Sequence, residues 1–145
     1  MMVTLREVTR EDCKTLVSLE QECFSIPWTE SLFSGAFSRI DFYGLILEED
    51  GCVVGYICGT SLFETAEIAR VCVRKDYRRK GYGGLLLDGY ENKVKSLGAE
   101  RVFLEVRVSN RSARSLYQSR GYIEGRVREK YYADGEDGLE MKKEL

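Results

Sequence analysis

Val71-Cys72-Val73-Arg74-Lys75-Asp76-Tyr77-Arg78-Arg79-Lys80-Gly81-Tyr82-Gly83-Gly84 decides the fold, because it leads from an apolar, strand-like run into a helix through a basic, glycine-rich loop. From Arg74 to Gly84 it carries five basic residues against one acid. Amides left free at a helix start bind anions, glycines let a ligand approach the backbone, and basic side chains add charge. The loop therefore reads as a seat for a diphosphate; the plainer alternative is a solvated basic turn ahead of a helix. Two nucleotide motifs are excluded. A Rossmann fingerprint counted from Gly81 would need glycine where Leu86 stands, and a P-loop would need Gly-Lys-Ser/Thr after a longer spacer.

Downstream, Leu86, Leu87, Tyr90, Val94 and Leu97 recur at helical spacing until Gly98, with Lys93 and Lys95 complementing the helix dipole. Val102 to Val108 reads as a strand, Asn110 to Arg120 as a helix capped by Asn110, and Gly121-Tyr122-Ile123 as the start of another strand. Leu139-Glu140-Met141 forms the last strand. Upstream, Glu67 to Val73 is a strand, and Cys52 to Cys58 pairs with Tyr43 to Leu47 across the turn Glu49-Asp50-Gly51. Before these come a short strand from Val3 to Arg6 and a helix N-capped by Thr9, whose Cys13, Leu16, Val17, Leu19, Cys23 and Phe24 share a face. Pro27, the only proline, interrupts it, and Thr29 opens a second short helix. The expected order is β-α-α-β-β-β-α-β-α-β-β in one domain over residues 1–145. It implies an α/β fold with a mixed sheet and helices on both faces. The strands ending at Val73 and starting at Arg101 should be parallel neighbours, since a helix joins them.

Composition narrows the class. With 145 residues, 43% of them hydrophobic, and a net charge of −2, the chain has the material for a core and none of the marks of disorder or of wholesale nucleic-acid coating. No hydrophobic run is long enough to span a bilayer, so the expectation is a soluble, cytoplasmic protein without a membrane partner. Five scattered cysteines suit reduced thiols. The absence of histidine removes His-based general bases, Ser-His triads and the usual zinc sets, and no metal is expected.

Glu105 stands out in Val102-Phe103-Leu104-Glu105-Val106-Arg107-Val108, a charged residue in a mostly apolar strand. It shares a face with Phe103 and Arg107, and a simple ion pair with Arg107 on a wet sheet face is the structural alternative to a catalytic role. Tyr117, seven residues after Asn110, falls on the stripe of Ala113 and Leu116, where aromatics usually serve as core.

Taken together, Arg78-x-x-Gly81-x-Gly83 on a strand-loop-helix, Gly55-Tyr56, Val71-Cys72-Val73, Leu104-Glu105-Val106 and the stretch Asn110 to Tyr122 resemble the GNAT N-acetyltransferase superfamily, in order and over nearly the whole chain. Within it, Phe24-Ser25-Ile26-Pro27-Trp28-Thr29, Leu104 to Asn110, Leu116-Tyr117-x-x-x-Gly121-Tyr122 and Tyr131-Tyr132 followed by Glu136-Asp137 are similar to the RimI group of ribosomal-protein-alanine N-acetyltransferases.

The resemblance implies a GNAT fold, a central, mostly antiparallel sheet of about seven strands, with acetyl-CoA as co-substrate. Val71, Cys72 and Val73 would run beside its pantetheine arm, Val71 and Val73 offering backbone groups. Arg78, Arg79, Lys80, Gly81, Tyr82, Gly83 and Gly84 would hold the diphosphate, chiefly through the amides of Arg79, Gly81, Gly83 and Gly84. The Arg79 and Lys80 side chains would be solvated or touch the ribose phosphate, and Asn110 would also bond the arm. Glu105 becomes the general base, acting through a water, and Tyr117 the acid that protonates the leaving thiolate. Phe24, Pro27, Trp28, Tyr131, Tyr132 and the turn Asp134-Gly135-Glu136-Asp137 would contact the acceptor, an N-terminal alanine of a small-subunit ribosomal protein. For that turn an ordinary hairpin tip is the alternative. A lysine or small-amine acceptor and a non-catalytic acyl-CoA-binding regulator are the rival functions. Arg70 departs from the pattern, which commonly has a small polar residue there. Cys72 as an acyl-carrying nucleophile is the less favoured chemistry beside direct transfer.

Overall fold

The hydrophobic period changes at Phe42, where the central meander of the sheet begins. In the computed structural model, which describes residues 1–145, β2 (Phe42–Glu49), β3 (Cys52–Leu62) and β4 (Thr65–Val73) pair antiparallel in succession. Asp50 and Gly51 turn between β2 and β3 with φ of 51° and 82°, the left-handed pair that a tight hairpin demands. β1 (Val3–Glu7) adds to the outer edge of β2, and β5 (Arg101–Arg107), β7 (Gly138–Glu144) and β6 (Ile123–Arg128) extend the other side. The order is β1-β2-β3-β4-β5-β7-β6, and every pair is antiparallel except β4 with β5. This is the mixed seven-stranded sheet expected, including the parallel crossover.

Alternation along the strands builds a core on each face. Leu45, Leu47 and Ile57 pack with Leu86, Leu87, Tyr90 and Val94 of α3 (Tyr82–Ser96) and with Tyr117 of α4 (Arg111–Ser119). Ile46, Tyr56, Cys58 and Cys72 pack on the opposite side with Leu16 and Leu19 of α1 (Cys13–Cys23) and Phe33 of α2 (Glu30–Phe37). Each large apolar side chain buried in this way contributes ~1.5–3 kcal/mol.

Two boundaries differ from the sequence reading. Thr9 caps a 3-10 turn, Arg10–Asp12, and α1 starts only at Cys13. Asp12 closes that turn by accepting from the Thr9 amide at 2.8 Å while Arg6 holds both its oxygens at 2.9 Å. Gly121 and Tyr122 belong to the end of α4 rather than to a strand. Gly121 adopts φ 93°, and the Tyr122 amide returns to the Tyr117 carbonyl at 3.0 Å, a left-handed helix cap. The expected cap at Asn110 forms on the Ala113 amide at 3.1 Å, and Thr29, where the second helix was expected to open, caps it on the Leu32 amide at 3.2 Å.

The sheet opens at its centre. β4 and β5 pair only from Thr65 to Ile68 against Arg101 to Leu104, after which both strands run on unpaired with each other. Ala69 is the cause: Cys58 faces Arg70 while Gly59 faces Ile68, so β4 carries one extra residue there and bends away. Gly59 allows the close approach, since a Cβ there would lie 1.8 Å from the Glu67 carbonyl oxygen. Tyr90 fixes that carbonyl with a hydrogen bond of 2.8 Å. No helix is long and apolar enough to cross a membrane, and no three His, Cys, Asp or Glu side chains are placed to share a metal ion.

Candidate active site

The β4 side of the opening is made of main chain. The Arg74 amide donates to Val54 of β3 at 2.7 Å, and antiparallel alternation then turns the polar groups of Arg70, Cys72 and Arg74 toward β3. Those of Val71 and Val73 face the gap, where a ligand can pair with them as a further strand would. Past β4, the amides of residues 79 to 84 find no acceptor in the protein; the first bonded one is Leu85, to the Gly81 carbonyl at 3.2 Å. Arg79 (φ 64°) and Gly81 (φ 81°) are left-handed, the backbone conformation in which successive free amides can turn toward one anion. The residues present thus fit the pantetheine and diphosphate of acetyl-CoA.

Side chains contribute less here than the basic run suggested. Arg78 donates from Nε to the Val73 carbonyl at 2.9 Å, Lys80 lies 3.5 Å from Glu49, and the buried Tyr82 gives its hydroxyl to Glu49. Lys75 and Arg79 are exposed, with side chains in no ion pair. Glu22 anchors the loop by accepting from the Lys75 amide at 2.7 Å and from Arg74 at 3.1 Å. Two glycines have reasons other than ligand approach. A Cβ on Gly84 would lie 1.8 Å from Nη2 of Arg120, and one on Gly83 3.0 Å from Leu116, so both make room for α4. Asn110 spends its side-chain oxygen on the α4 cap.

On β5, Val102, Leu104 and Val106 are buried toward α3 and α4, leaving Glu105 on the other face. The pairing with Arg107 does not form: Arg107 binds Asp134 at 2.8 Å and Glu136 at 3.0 Å. Glu105 Oε1 instead lies 2.9 Å from Arg128 Nε, and Arg128 reaches on to Glu140, the cross-strand neighbour of Glu105, at 3.3 Å. Glu105 Oε2 is buried and has no partner. Burial pushes the Glu105 carboxyl above its ordinary value; Arg128 opposes this and the Glu140 charge adds to it.

Tyr117 is buried among core residues, edge-on to Tyr122 at 5.8 Å, and burial raises its hydroxyl. Tyr117 and Glu105 therefore belong to opposite faces of the sheet. Tyr132 feels the Glu105 charge and is felt by Tyr117, and burial raises its own hydroxyl to about 12. Cys72 is buried, and hydrogen bonding to Cys23 together with burial drives its thiol far up, which makes it a poor nucleophile.

The residues expected on the acceptor side are held by ion pairs that the sequence did not reveal. Glu20, fully buried in α1, accepts from the Trp28 amide at 2.7 Å, from Arg70 at 2.9 Å and from the Tyr56 hydroxyl. Arg70 also donates to the Ile26 carbonyl at 3.0 Å and lies 4.1 Å over Phe24 and 5.1 Å from Trp28. The loop around Pro27 is thereby fixed. Between β6 and β7, Tyr131 and Tyr132 meet edge-on at 5.0 Å, with Arg107 4.2 Å over Tyr132. The acidic turn serves its own fold: Glu136 also takes the Ser109 amide and Asp137 the Lys130 amide, each at 3.0 Å.

These features have counterparts in known proteins. The family model described as the acetyltransferase (GNAT) family matches residues 13–122. An uncharacterised N-acetyltransferase of Methanocaldococcus jannaschii is 36% identical over 138 residues, covering 94% of this chain and 88% of that one. The ribosomal protein bS18-alanine N-acetyltransferase of Escherichia coli is 29% identical over 143 residues, covering 97% and 96%. The crystal structure of the ribosomal-protein-S18-alanine N-acetyltransferase from Escherichia coli superposes with a TM-score of 0.92 at 28% identity, over 99% of this chain and 94% of that one. With the splayed strands, the free amides and these matches in agreement, the chain belongs to the acetyltransferase (GNAT) family.

Proposed function

We propose that this N-acetyltransferase, whose acetyl donor is acetyl-CoA, acts as one cytoplasmic domain on the N-terminal alanine of a small-subunit ribosomal protein. The observation that carries the reading is Glu105, a carboxylate in the open part of the sheet with one buried, unpartnered oxygen. Acetyl-CoA supplies an activated acetyl group. Residues 79 to 84 hold its phosphates through their amides, Val71 and Val73 align its arm, and Glu105 takes the proton of the attacking amine through a water. Tyr117 delivers a proton to the leaving sulfur. A coenzyme thiol resembles cysteine, with pKa ~8.5, so this last assistance is moderate.

An α-amine suits a single carboxylate base. Making the neutral nucleophile at pH 7 costs about 1.4 kcal/mol for an α-amine of pKa ~8 and about 4.6 for a lysine of pKa ~10.4. The names of the Escherichia coli relatives support the alanine acceptor. The test is mass spectrometry of that protein's N-terminal peptide after incubation with enzyme and acetyl-CoA, beside a copy with a blocked α-amine and free lysines. Acetylation of the unblocked peptide alone is expected. Acetylation of the blocked copy would move the enzyme to the lysine class, and no transfer to either would remove the peptide acceptor.

A further inference from the structure

Glu105 and Glu140 stand directly opposite each other on β5 and β7, on the face of the sheet turned away from α3. Like charges so placed repel, and such a pair keeps both its charges only with a cation beside it. Arg128 supplies that cation from β6, the next strand beyond β7. β6 carries its extra residue ahead of Arg128, which then pairs with Gly138, two residues along β7 from Glu140 and so on the same face. Its Nη2 donates to Glu140 Oε2 at 3.3 Å, and its Nε lies 2.9 Å from Glu105 Oε1. That Nε is buried and makes no hydrogen bond, so Arg128 is anchored on Glu140 and acts on Glu105 by charge and proximity.

We infer that Arg128 is a positioning residue for the acetyl transfer: it holds the Glu105 carboxylate at Oε1, which leaves the buried, unpartnered Oε2 as the oxygen that takes the proton of the attacking amine. The inference rests on Glu105 being the base. The proton passes from the amine nitrogen through a water to Oε2, and Arg128 keeps its own protons throughout. A proton on Oε1 would instead sit against a guanidinium, where positive charge is disfavoured. An arginine suits the task because its planar fork spans two carboxylates, whereas a lysine offers one point of charge.

The other charges around Glu105 do not replace it. Glu67 on β4 opposes ionisation of Glu105, and Arg126 on β6 favours it less than Arg128 does. Tyr132 feels the Glu105 charge with its hydroxyl protonated, Lys142 on β7 faces Phe103, Arg107 is taken by Asp134 and Glu136, and Arg70 by Glu20. Fastening β6 to its neighbours is the structural alternative. With its side chain 40% exposed, Arg128 gains little stability from such ion pairs.

The test is the titration of the Glu105 side-chain carboxyl, followed by carbon-13 NMR in the protein without acetyl-CoA, with the resonance identified by its loss in Glu105→Gln. This measurement needs no acceptor and is independent of which amine is acetylated. Arg128→Gln should move the titration to higher pH, since Glu140 and Glu67 then act without the nearest cation, and Arg128→Lys should hold it closer to its original place. With the α-amine peptide as acceptor, the acid limb of kcat/KM should move the same way in Arg128→Gln. The plateau kcat should fall by up to ~10²-fold, with KM for acetyl-CoA unchanged. A titration that stays in place in Arg128→Gln, or moves as far in Arg128→Lys, would overturn the inference. So would a shifted titration with unaltered turnover, which would leave Arg128 as a fastening of the strands. An acid limb that survives in Glu105→Gln would remove the base itself, and this role of Arg128 with it.

Discussion

The loop from Arg78 to Gly84 and the loop from Phe24 to Trp28 both converge on β4, and they are built from different materials. The first presents main chain: six free amides, a left-handed arginine and glycine, and strand edges at Val71 and Val73. The second is shaped by side chains, with Glu20 and Arg70 locking it from below and Arg128 linking Glu105 to Glu140 nearby. Main-chain recognition depends on backbone conformation and tolerates many side chains, which suits a ligand that never changes. Side-chain recognition can be altered one residue at a time, which suits acceptors that differ between enzymes.

The largest expected effect falls on the side-chain half. Glu105→Gln should lower kcat/KM by ~10²–10⁴-fold and abolish its acid limb, with acetyl-CoA affinity by calorimetry unchanged. In the unaltered enzyme that limb should lie above the ordinary carboxylate range, because burial raises Glu105 and the base is lost as pH falls through that raised value. Unchanged turnover from pH 6 to 9 in the variant would break the comparison at its centre. Next is Glu20→Ala, which leaves Arg70 and the Trp28 amide without their partner and should cost about 3–5 kcal/mol in a urea melt. A loss below ~1 kcal/mol would mean that the ion pair does not hold the loop.

Tyr117→Phe should reduce kcat by ~10²-fold and leave the melt nearly unchanged, since no protein group bonds its hydroxyl. Destabilisation without a kinetic defect would return Tyr117 to the core. On the main-chain half the effects are smaller. Gly81→Ala meets no atom within 4 Å but must keep φ near 81°, at a cost of roughly 1–2 kcal/mol. Its signature should be a several-fold rise in KM for acetyl-CoA with kcat preserved; the reverse split would show that the loop does more than bind. The smallest effect sharpens the charge relay. Glu140 raises Glu105, so Glu140→Gln should move the acid limb to lower pH, and movement upward would contradict the geometry.

The Arg107 alternative for Glu105 shows where reading the chain stops. Period-2 alternation correctly put Glu105 and Arg107 on one face, but adjacency along a strand does not choose an ion-pair partner. β6 carries an extra residue between Glu124 and Val127, and that shift sets which face each later β6 side chain takes. Arg128 reaches Glu105 and Glu140 as a result. Nothing local in Arg126-Val127-Arg128 announces which arginine will do so. Glu20 is similar: in sequence it is one polar residue in a helix, and its burial follows from the approach of Tyr56 and Arg70 from two other elements.

What the sequence determined by itself was the element order, the parallel crossover and the glycine-rich entry into α3. Each follows from short-range rules: the period of apolar residues, the φ that glycine permits, the length a crossover needs. The tertiary structure decided that β4 and β5 part at Ala69 and that Glu105 answers to Arg128. Those depend on bulges and on the register of segments tens of residues apart, where a one-residue shift turns a side chain to the other face of the sheet.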